Sequence, residues 1–177
     1  MELKNKRLQK VLFLSVIGFC AILLGITISI TLKNISEMNE ILEESIKSQL
    51  ISTSIAARNI IDIDRFYAYN KIDDVLNDLN EYNRVLNNLR TLKRNVGAEY
   101  IYALKYIDGA YYFIFDTDYE EDTMFTEYEL SDVHAQAFLG QNSAGIMNVV
   151  DEFGSFNTGA VPIWKEGKVI GIVSTDI

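Results

Sequence analysis

Cysteine occurs once, at Cys20, inside an uncharged apolar run. The residues beyond that run therefore form no disulfide among themselves. Whatever they build must be held by an apolar core, and the chain has 10 Tyr and 9 Phe to supply one. Histidine also occurs once, at His134, so a His/Cys zinc site beyond the run has no ligand set. With one proline and 10 glycines there is no Pro- or Gly-rich linker, and no internal repeat is present. Positive charge is short: 16 Lys and Arg face 25 Asp and Glu, for a net charge of −9. Phosphate backbones need a basic surface, so a nucleic-acid partner is excluded.

What is present is first of all residues 11–32, VLFLSVIGFCAILLGITISITL, without a charged side chain. As a helix of about 22 residues the run would be about 33 Å long, just over a hydrocarbon core of about 30 Å. It reads as a transmembrane helix rather than the core helix of a soluble domain, because nothing polar interrupts it. Lys4, Lys6, Arg7 and Lys10 precede it; Glu37, Glu40, Glu43 and Glu44 follow Lys33. The basic flank stays cytoplasmic, which puts the protein at the cell membrane, single-pass, with its C-terminal part extracytoplasmic. A cleaved signal peptide would have a shorter apolar core and a small-x-small site. A lipoprotein anchor at Cys20 is opposed by Phe19 before it and by the apolar residues after it.

The expected organisation is a tail (1–10), a transmembrane helix (11–32), a long extracytoplasmic helix (33–70) and one folded domain (71–177). Residues 34–69 contain no Pro or Gly. Ile35, Met38, Leu42 and Ile46, then Ala56, Ile60, Ile63 and Tyr67, recur at near 3.5 residues, with Gln49 and Thr53 weakening the middle. That seam fits either a parallel homodimer or packing on the chain's own domain. After a break at 70–73, Val75, Leu76, Leu79, Tyr82, Leu86, Leu89 and Leu92 mark a second helical face, which Gly97 ends.

From Glu99 the period becomes two. YIYALKYI, Asp108-Gly109 and AYYFIFD predict a hairpin. With Ile107 opposite Ala110, one face carries Tyr100, Tyr102, Leu104 and Tyr106 with Tyr111, Phe113 and Phe115. The other carries Ile101, Ala103, Lys105 and Ile107 with Tyr112, Ile114 and Asp116. Residues 117–129 read as an acidic, irregular loop. Ser131 caps a short helix through Leu139, closed by Gly140. A glycine-containing loop then leads to a second hairpin, 156–164 and 168–177, turning at Glu166-Gly167. Its expected pairs are Ile163–Ile170, Val161–Ile172, Gly159–Ser174 and Asn157–Asp176.

Those four pairs make a face apolar at one end and small and polar at the other, as a small-molecule recess requires. Asp176 could meet a ligand amine or hydrogen-bond to strand-end backbone. Asp116, Asp118, Glu120, Glu121 and Asp122, with Glu127, approach the spacing of a calcium loop, but Glu121 stands where that turn needs glycine. A solvated acidic loop is the simpler reading, with Asp116 and Asp118 left as candidates for a cationic ligand group. His134 would need a nucleophile and an orienting acid to catalyse hydrolysis, and no strand–Ser–helix elbow is present.

Two stretches, GAEYIYALKYIDGAYYFIFDTD and GSFNTGAVPIWKEGKVIGIVSTDI, following a span and a long helix, resemble the extracytoplasmic Cache sensor domains. These are PAS-like domains of bacterial diguanylate cyclases, chemoreceptors and sensor histidine kinases. The resemblance covers most of residues 48–177. It implies an α+β fold: a central antiparallel sheet, the long helix on one face and a small-molecule pocket on the other. Carried over by position, the pocket draws on Tyr102, Phe115, Asp116, Asp118 and Asp176. The arginine-and-tryptophan motif of amino-acid-binding relatives is not found, since Arg84, Arg90 and Arg94 have no Trp near them. Of the basic residues that carboxylate-binding relatives use, only Lys105 falls near the pocket. Full receptors of this type return through a second span to an output domain; here a fragment or truncated receptor without a catalytic domain is expected.

The expected function is thus small-molecule sensing in the sheet pocket, transmitted through the long helix, with no metal or cofactor. The rivals are a membrane-tethered protein-interaction module with a filled core and no ligand, and a hydrolase built on His134.

Overall fold

The computed structural model describes residues 2–118, 124–151 and 154–177. The chain divides into two units, Met1–Glu43 and Glu44–Ile177. The first lies within helix α1 (Glu2–Arg58). Its large side chains, among them Leu14, Phe19, Leu24, Leu32 and Met38, are exposed. Its hydroxyls turn inward: Thr27, Ser29 and Thr31 each donate to the carbonyl four residues back, at 2.8–2.9 Å.

The second unit is a five-stranded antiparallel sheet, as the sequence resemblance implies, but with helices on both faces rather than a pocket open on one. Its strands are β1 (Tyr100–Ile107), β2 (Ala110–Asp116), β3 (Ser143–Asp151), β4 (Gly154–Lys165) and β5 (Lys168–Asp176), in the order β2-β1-β5-β4-β3. Both tight turns form where expected. Asp108 and Gly109 have φ of 50° and 102°, and Glu166 and Gly167 have 49° and 77°, the left-handed pairs that match strand twist. β3 was expected as loop. Its pairing with β4 shifts between Gly145 and Val149, and Met147 has φ of 46°, so the strand carries no regular alternation to read.

The long helix ends at Arg58, short of the expected Tyr69. Asp62 caps a new helix, α2 (Ile63–Ala68), by accepting from the N–H groups of Asp64 (3.0 Å) and Arg65 (3.1 Å). Tyr67 and Ile63, placed on the apolar seam by spacing, are partly exposed. Instead, among the described residues, Leu50, Thr53, Ser54 and Ala57 are the buried ones of α1. α3 (Ile72–Leu76) and α4 (Leu79–Val96) follow, and Gly97 closes α4 at φ of 69°. Tyr82, Val85, Leu86 and Leu89 are its buried stripe. Leu76 and Leu79, expected on that face, are exposed.

These helices cover one face of the sheet. Phe66, Tyr69, Tyr82 and Leu89 pack there with Ile101, Ala103, Ile114, Phe115, Val161 and Val173. Each of the Phe, Leu, Ile and Val side chains among them contributes about 1.5–3 kcal/mol through burial. Two glycines let helices close on the strands. A Cβ at Gly159 would lie 2.6 Å from the Cβ of Leu50, and one at Gly171 2.6 Å from both the Leu104 carbonyl and the Phe66 ring. Lys105 also faces this side rather than the predicted pocket. Its ammonium donates to the carbonyls of Phe66 (3.2 Å), Tyr67 (2.7 Å) and Tyr69 (2.9 Å) and to Asn70 Oδ1 (2.9 Å), fastening the end of α2 to β1. Burial lowers its pKa to about 8.

Both hairpins carry a bulge that sequence alternation does not reveal. In the first, Ala103 pairs with Phe115 but Leu104 with Phe113, leaving Ile114 extra. Ile114 and Phe115 therefore both join the helix-side core, and Asp116 moves opposite Tyr102. In the second, Ile163 pairs with Gly171 and Trp164 with Val169, leaving Ile170 extra. The pairs beyond it are Pro162–Ile172, Ala160–Ser174 and Thr158–Asp176, one residue out of the expected register.

Candidate functional site

The opposite face of the sheet is covered by α5 (Asp132–Phe138), whose expected start at Ser131 and closing Gly140, at φ of 91°, are both present. Tyr102, Leu104, Ala160 and Ile172 of the strands meet Val133 and Ala137 of this helix, flanked by Tyr100, Phe113 and Tyr128. Residues 125–128 pair along the outer edge of β2: Phe125 N–H donates to Phe113 O (2.9 Å) and Tyr128 N–H to Tyr111 O (2.8 Å). That brings the Tyr128 ring to 5.0 Å from Phe113 and 5.2 Å from the His134 imidazole.

Polar groups gather inside this aromatic surround. His134, fully buried, has its Nε2 2.9 Å from the Tyr102 hydroxyl and 3.1 Å from Ser174 Oγ. Its Nδ1 accepts from the Ser131 N–H at 3.3 Å and lies 2.8 Å from Ser131 Oγ. An accepting Nδ1 assigns the ring proton to Nε2. Ser174 Oγ in turn donates to the Gly159 carbonyl at 3.1 Å. Burial depresses the His134 pKa to about 4, so the imidazole is neutral at physiological pH. Burial, and after it the charge of Asp176, hold the Tyr102 phenol well above its ordinary pKa. Asp176 is itself buried, directly across from Thr158. The Thr158 hydroxyl is fully buried and meets no hydrogen-bond partner among the described residues.

Of the residues expected at a pocket, Tyr102, Asp116 and Asp176 share this face, through the pairs Tyr102–Asp116 and Tyr100–Asp176. Phe115 does not. The bulge sends its ring across the sheet, where it stacks on Tyr82 at a centroid distance of 4.8 Å. Asp118 is exposed beyond β2, pairs with Lys93 of α4 at 3.4 Å, and donates its N–H to Asp116 Oδ1 at 3.0 Å. Burial raises the Asp116 pKa, partly offset by that N–H. Lys105, the one cation expected near the pocket, is on the helix side. Glu120, Glu121 and Asp122 of the calcium-like spacing lie outside the described residues. Among the described residues no three His, Cys, Asp or Glu side chains converge as a metal site. Sequence reasoning missed His134, Ser174 and Thr158 as partners. A register without the bulge at Ile170 puts Ser174 opposite Gly159 and leaves Thr158 off this face; the bulge sets Ser174 opposite Ala160 and Thr158 opposite Asp176.

The His134–Ser174 distance is short enough for a nucleophile and its base, but the polarity is wrong. Ser174 Oγ gives its proton to a carbonyl, Nε2 already carries one, and among the described residues no carboxylate orients Nδ1, which holds Ser131 instead. Ser174 is also fully buried. The arrangement is a buried hydrogen-bonded cluster rather than a catalytic pair. Two surface grooves lie elsewhere. One, of about 430 Å³, includes Asn70, Ile72, Ile107, Tyr112 and Phe125 in its lining; the other, of about 390 Å³, runs along α4 by Arg90, Lys93, Arg94 and Thr117.

No protein-family model matches the chain, and no curated protein sequence does. Among solved structures, it is similar to the sensor domain of the V. cholerae histidine kinase DctB, at TM-score 0.48 and 15% identity, over 79% of this chain and 57% of that one. It is similar also to the ligand-binding domain of the Campylobacter jejuni chemoreceptor Tlp3 in complex with L-valine. There the TM-score is 0.47 and the identity 15%, over 80% of this chain and 54% of that one. The sensory domain of Tlp3 with isoleucine bound matches at TM-score 0.44 and 17% identity, over 80% and 54%. This chain spans little more than half the length of each. By their descriptions these are the sensor domain of a histidine kinase and the ligand-binding or sensory domain of a chemoreceptor.

Proposed function

We propose that this chain is the extracytoplasmic sensing part of a membrane-anchored receptor. Residues 11–32 anchor it, and a small molecule is held on the α5 face of the sheet. The reading rests on one observation above the rest: a fully buried Thr158 hydroxyl without a hydrogen-bond partner among the described residues, beside the buried Asp176 carboxylate. A buried hydroxyl left unbonded costs about 1–3 kcal/mol, which a ligand's polar group would recover. Tyr102, Asp116 and Asp176 are the proposed ligand contacts from the sequence, joined by Thr158, with Asp118 at the rim and Phe115 set aside as a core residue. The carboxylates on this face suit a ligand bearing an amine. The uncharged run 11–32 of the first unit, apolar and long enough to cross a membrane, supports the anchor, and the exposed Ile35, Met38 and Leu42 after it are the proposed contact of a parallel homodimer.

Binding can bias the helix only through different affinity for two arrangements of the domain. Thermal unfolding of the full chain in detergent, across a library of amines, amino acids and carboxylates, tests the reading. A ligand at a hundredfold excess over its Kd adds about 2.7 kcal/mol. A well-folded chain unresponsive to the whole library, or a response that survives in Asp176→Asn with Thr158→Val, would overturn it.

A further inference from the structure

The groove of about 430 Å³ lies apart from the candidate site, on the helix side of the sheet. Its apolar lining comes from Ile72 of α3, Ile107 of β1, Tyr112 of β2 and Phe125 beyond the hairpin. Ile72 is 50% exposed and Leu76, one turn further along α3, is 56% exposed. Residues four apart share a helix face, so the apolar surface runs on past the groove. Phe125 has φ of 60°, a costly conformation for a residue with an aromatic side chain. Its N–H donates to Phe113 O at 2.9 Å, and the Phe113 N–H donates to Thr126 O at 3.1 Å, which holds it there. The strained backbone leaves a large ring half-buried at the groove. The polar rim is acidic. Asp73 and Asp108 line the groove against Lys71, the one cation of its lining among the described residues. Lys71 lies 3.9 Å from Asp73 with both side chains well exposed, a pair that neutralises little. Asp74 follows, its carboxylate accepting the N–H groups of Asn70 (2.9 Å) and Lys71 (3.2 Å). The nearby Lys105 ammonium is already surrounded by four oxygens.

We infer that this groove and the adjoining face of α3 are a docking surface for a polypeptide partner whose contact segment is basic. One large apolar side chain of that segment sits between Ile72, Ile107, Tyr112 and Phe125, and Lys or Arg on either side of it meets Asp73 and Asp108. The volume suits an anchoring side chain, and the apolar surface beyond it suits the segment that carries the anchor. A small ligand confined to the groove would leave Leu76 uncovered. A second copy of this chain, with its net charge of −9, would bring a matching acidic rim against this one. An anionic bilayer surface is repelled in the same way. The surface is complete whether or not the α5 face holds a ligand.

Fluorescence anisotropy with the full chain in detergent tests it. The probes are short dye-labelled peptides carrying one Phe or Leu between lysines. Their counterparts carry Glu for Lys, or Ser for the apolar residue. The basic, anchored peptide should bind at least about tenfold more tightly than either counterpart. Ile72→Ser should weaken it by about tenfold, as should Asp73→Asn with Asp108→Asn, at unchanged unfolding midpoint. Asparagine keeps the left-handed turn at position 108. Removing two exposed charges elsewhere, by Glu40→Gln with Glu43→Gln, should leave Kd within about twofold. An equal loss in that control pair means that the peptide reads net charge alone, and overturns the inference. Binding that survives Ile72→Ser overturns it too, as does failure of every peptide to bind. Self-association abolished by Ile72→Ser in sedimentation would seat a second copy here instead and overturn it. A thermal response to the small-molecule library that Ile72→Ser abolishes would seat the ligand in the groove, again overturning it. A response that Ile72→Ser leaves intact, with no peptide bound, would sink this inference and leave the sensing reading standing.

Discussion

The two faces of the sheet treat buried polar atoms differently. On the helix side the core is aromatic and aliphatic, with Phe115 against Tyr82 and Phe66, and the buried ammonium there, Lys105, has four acceptors around it. On the α5 side, His134, Tyr102, Ser174, Thr158 and Asp176 are buried together, and the Thr158 hydroxyl is without a hydrogen-bond partner among the described residues. A face whose polar groups are saturated supports the fold. A face that leaves one unbonded gives up some stability, which is the cost the proposed ligand contact would recover.

That contrast can be broken at its apolar end first. Phe115→Ala removes a ring packed between Phe66 and Tyr82 and should cost about 3–5 kcal/mol in denaturant unfolding. If instead it abolished ligand binding at unchanged stability, Phe115 would belong to the other face after all. Acid should weaken the α5 side next. His134 titrates near 4 when folded and near its ordinary value when unfolded. Between those values the unfolded chain binds the extra proton, so stability is full above about pH 6.5 and declines as pH falls, by about 3 kcal/mol once below both. His134→Gln should flatten that part of the pH–stability curve, and an unchanged slope would move the effect to other groups. Lys105→Met leaves three carbonyls at the end of α2 without their ammonium and should cost about 2 kcal/mol. It should leave ligand affinity intact. The smallest effect sharpens the comparison most: Thr158→Val removes the unbonded hydroxyl, so unfolding should become harder by up to about 1 kcal/mol while ligand response falls. A loss of stability there would mean that the hydroxyl is satisfied in the native chain.

The turns, the caps at Ser131 and Gly97, and the stripe of α4 were legible because each depends on residues close in sequence. The two bulges were not. An extra residue at Ile114 or Ile170 leaves the apolar pattern of a strand buried on both faces unchanged, yet it flips every side chain beyond it. Phe115 was misplaced and Thr158 overlooked for that one reason. The helix end at Arg58 was hidden because Asp62 caps α2 in a stretch without Gly or Pro. Lys105 was read as a pocket cation because its acceptors, on residues 66–70, are not recognisable before the chain folds back.

Gly159 and Gly171 have a mechanical consequence. Each is a notch in the sheet, filled by Leu50 of α1 in one case and by Phe66 of α2 in the other, with no room for a Cβ in either. A helix seated in a notch cannot slide along the strands without first climbing out of it. Pistoning of these helices across the sheet is therefore dear, while swivelling in place keeps each residue in its seat. Any stroke that this domain delivers to α1 is better suited to a twist than to a thrust.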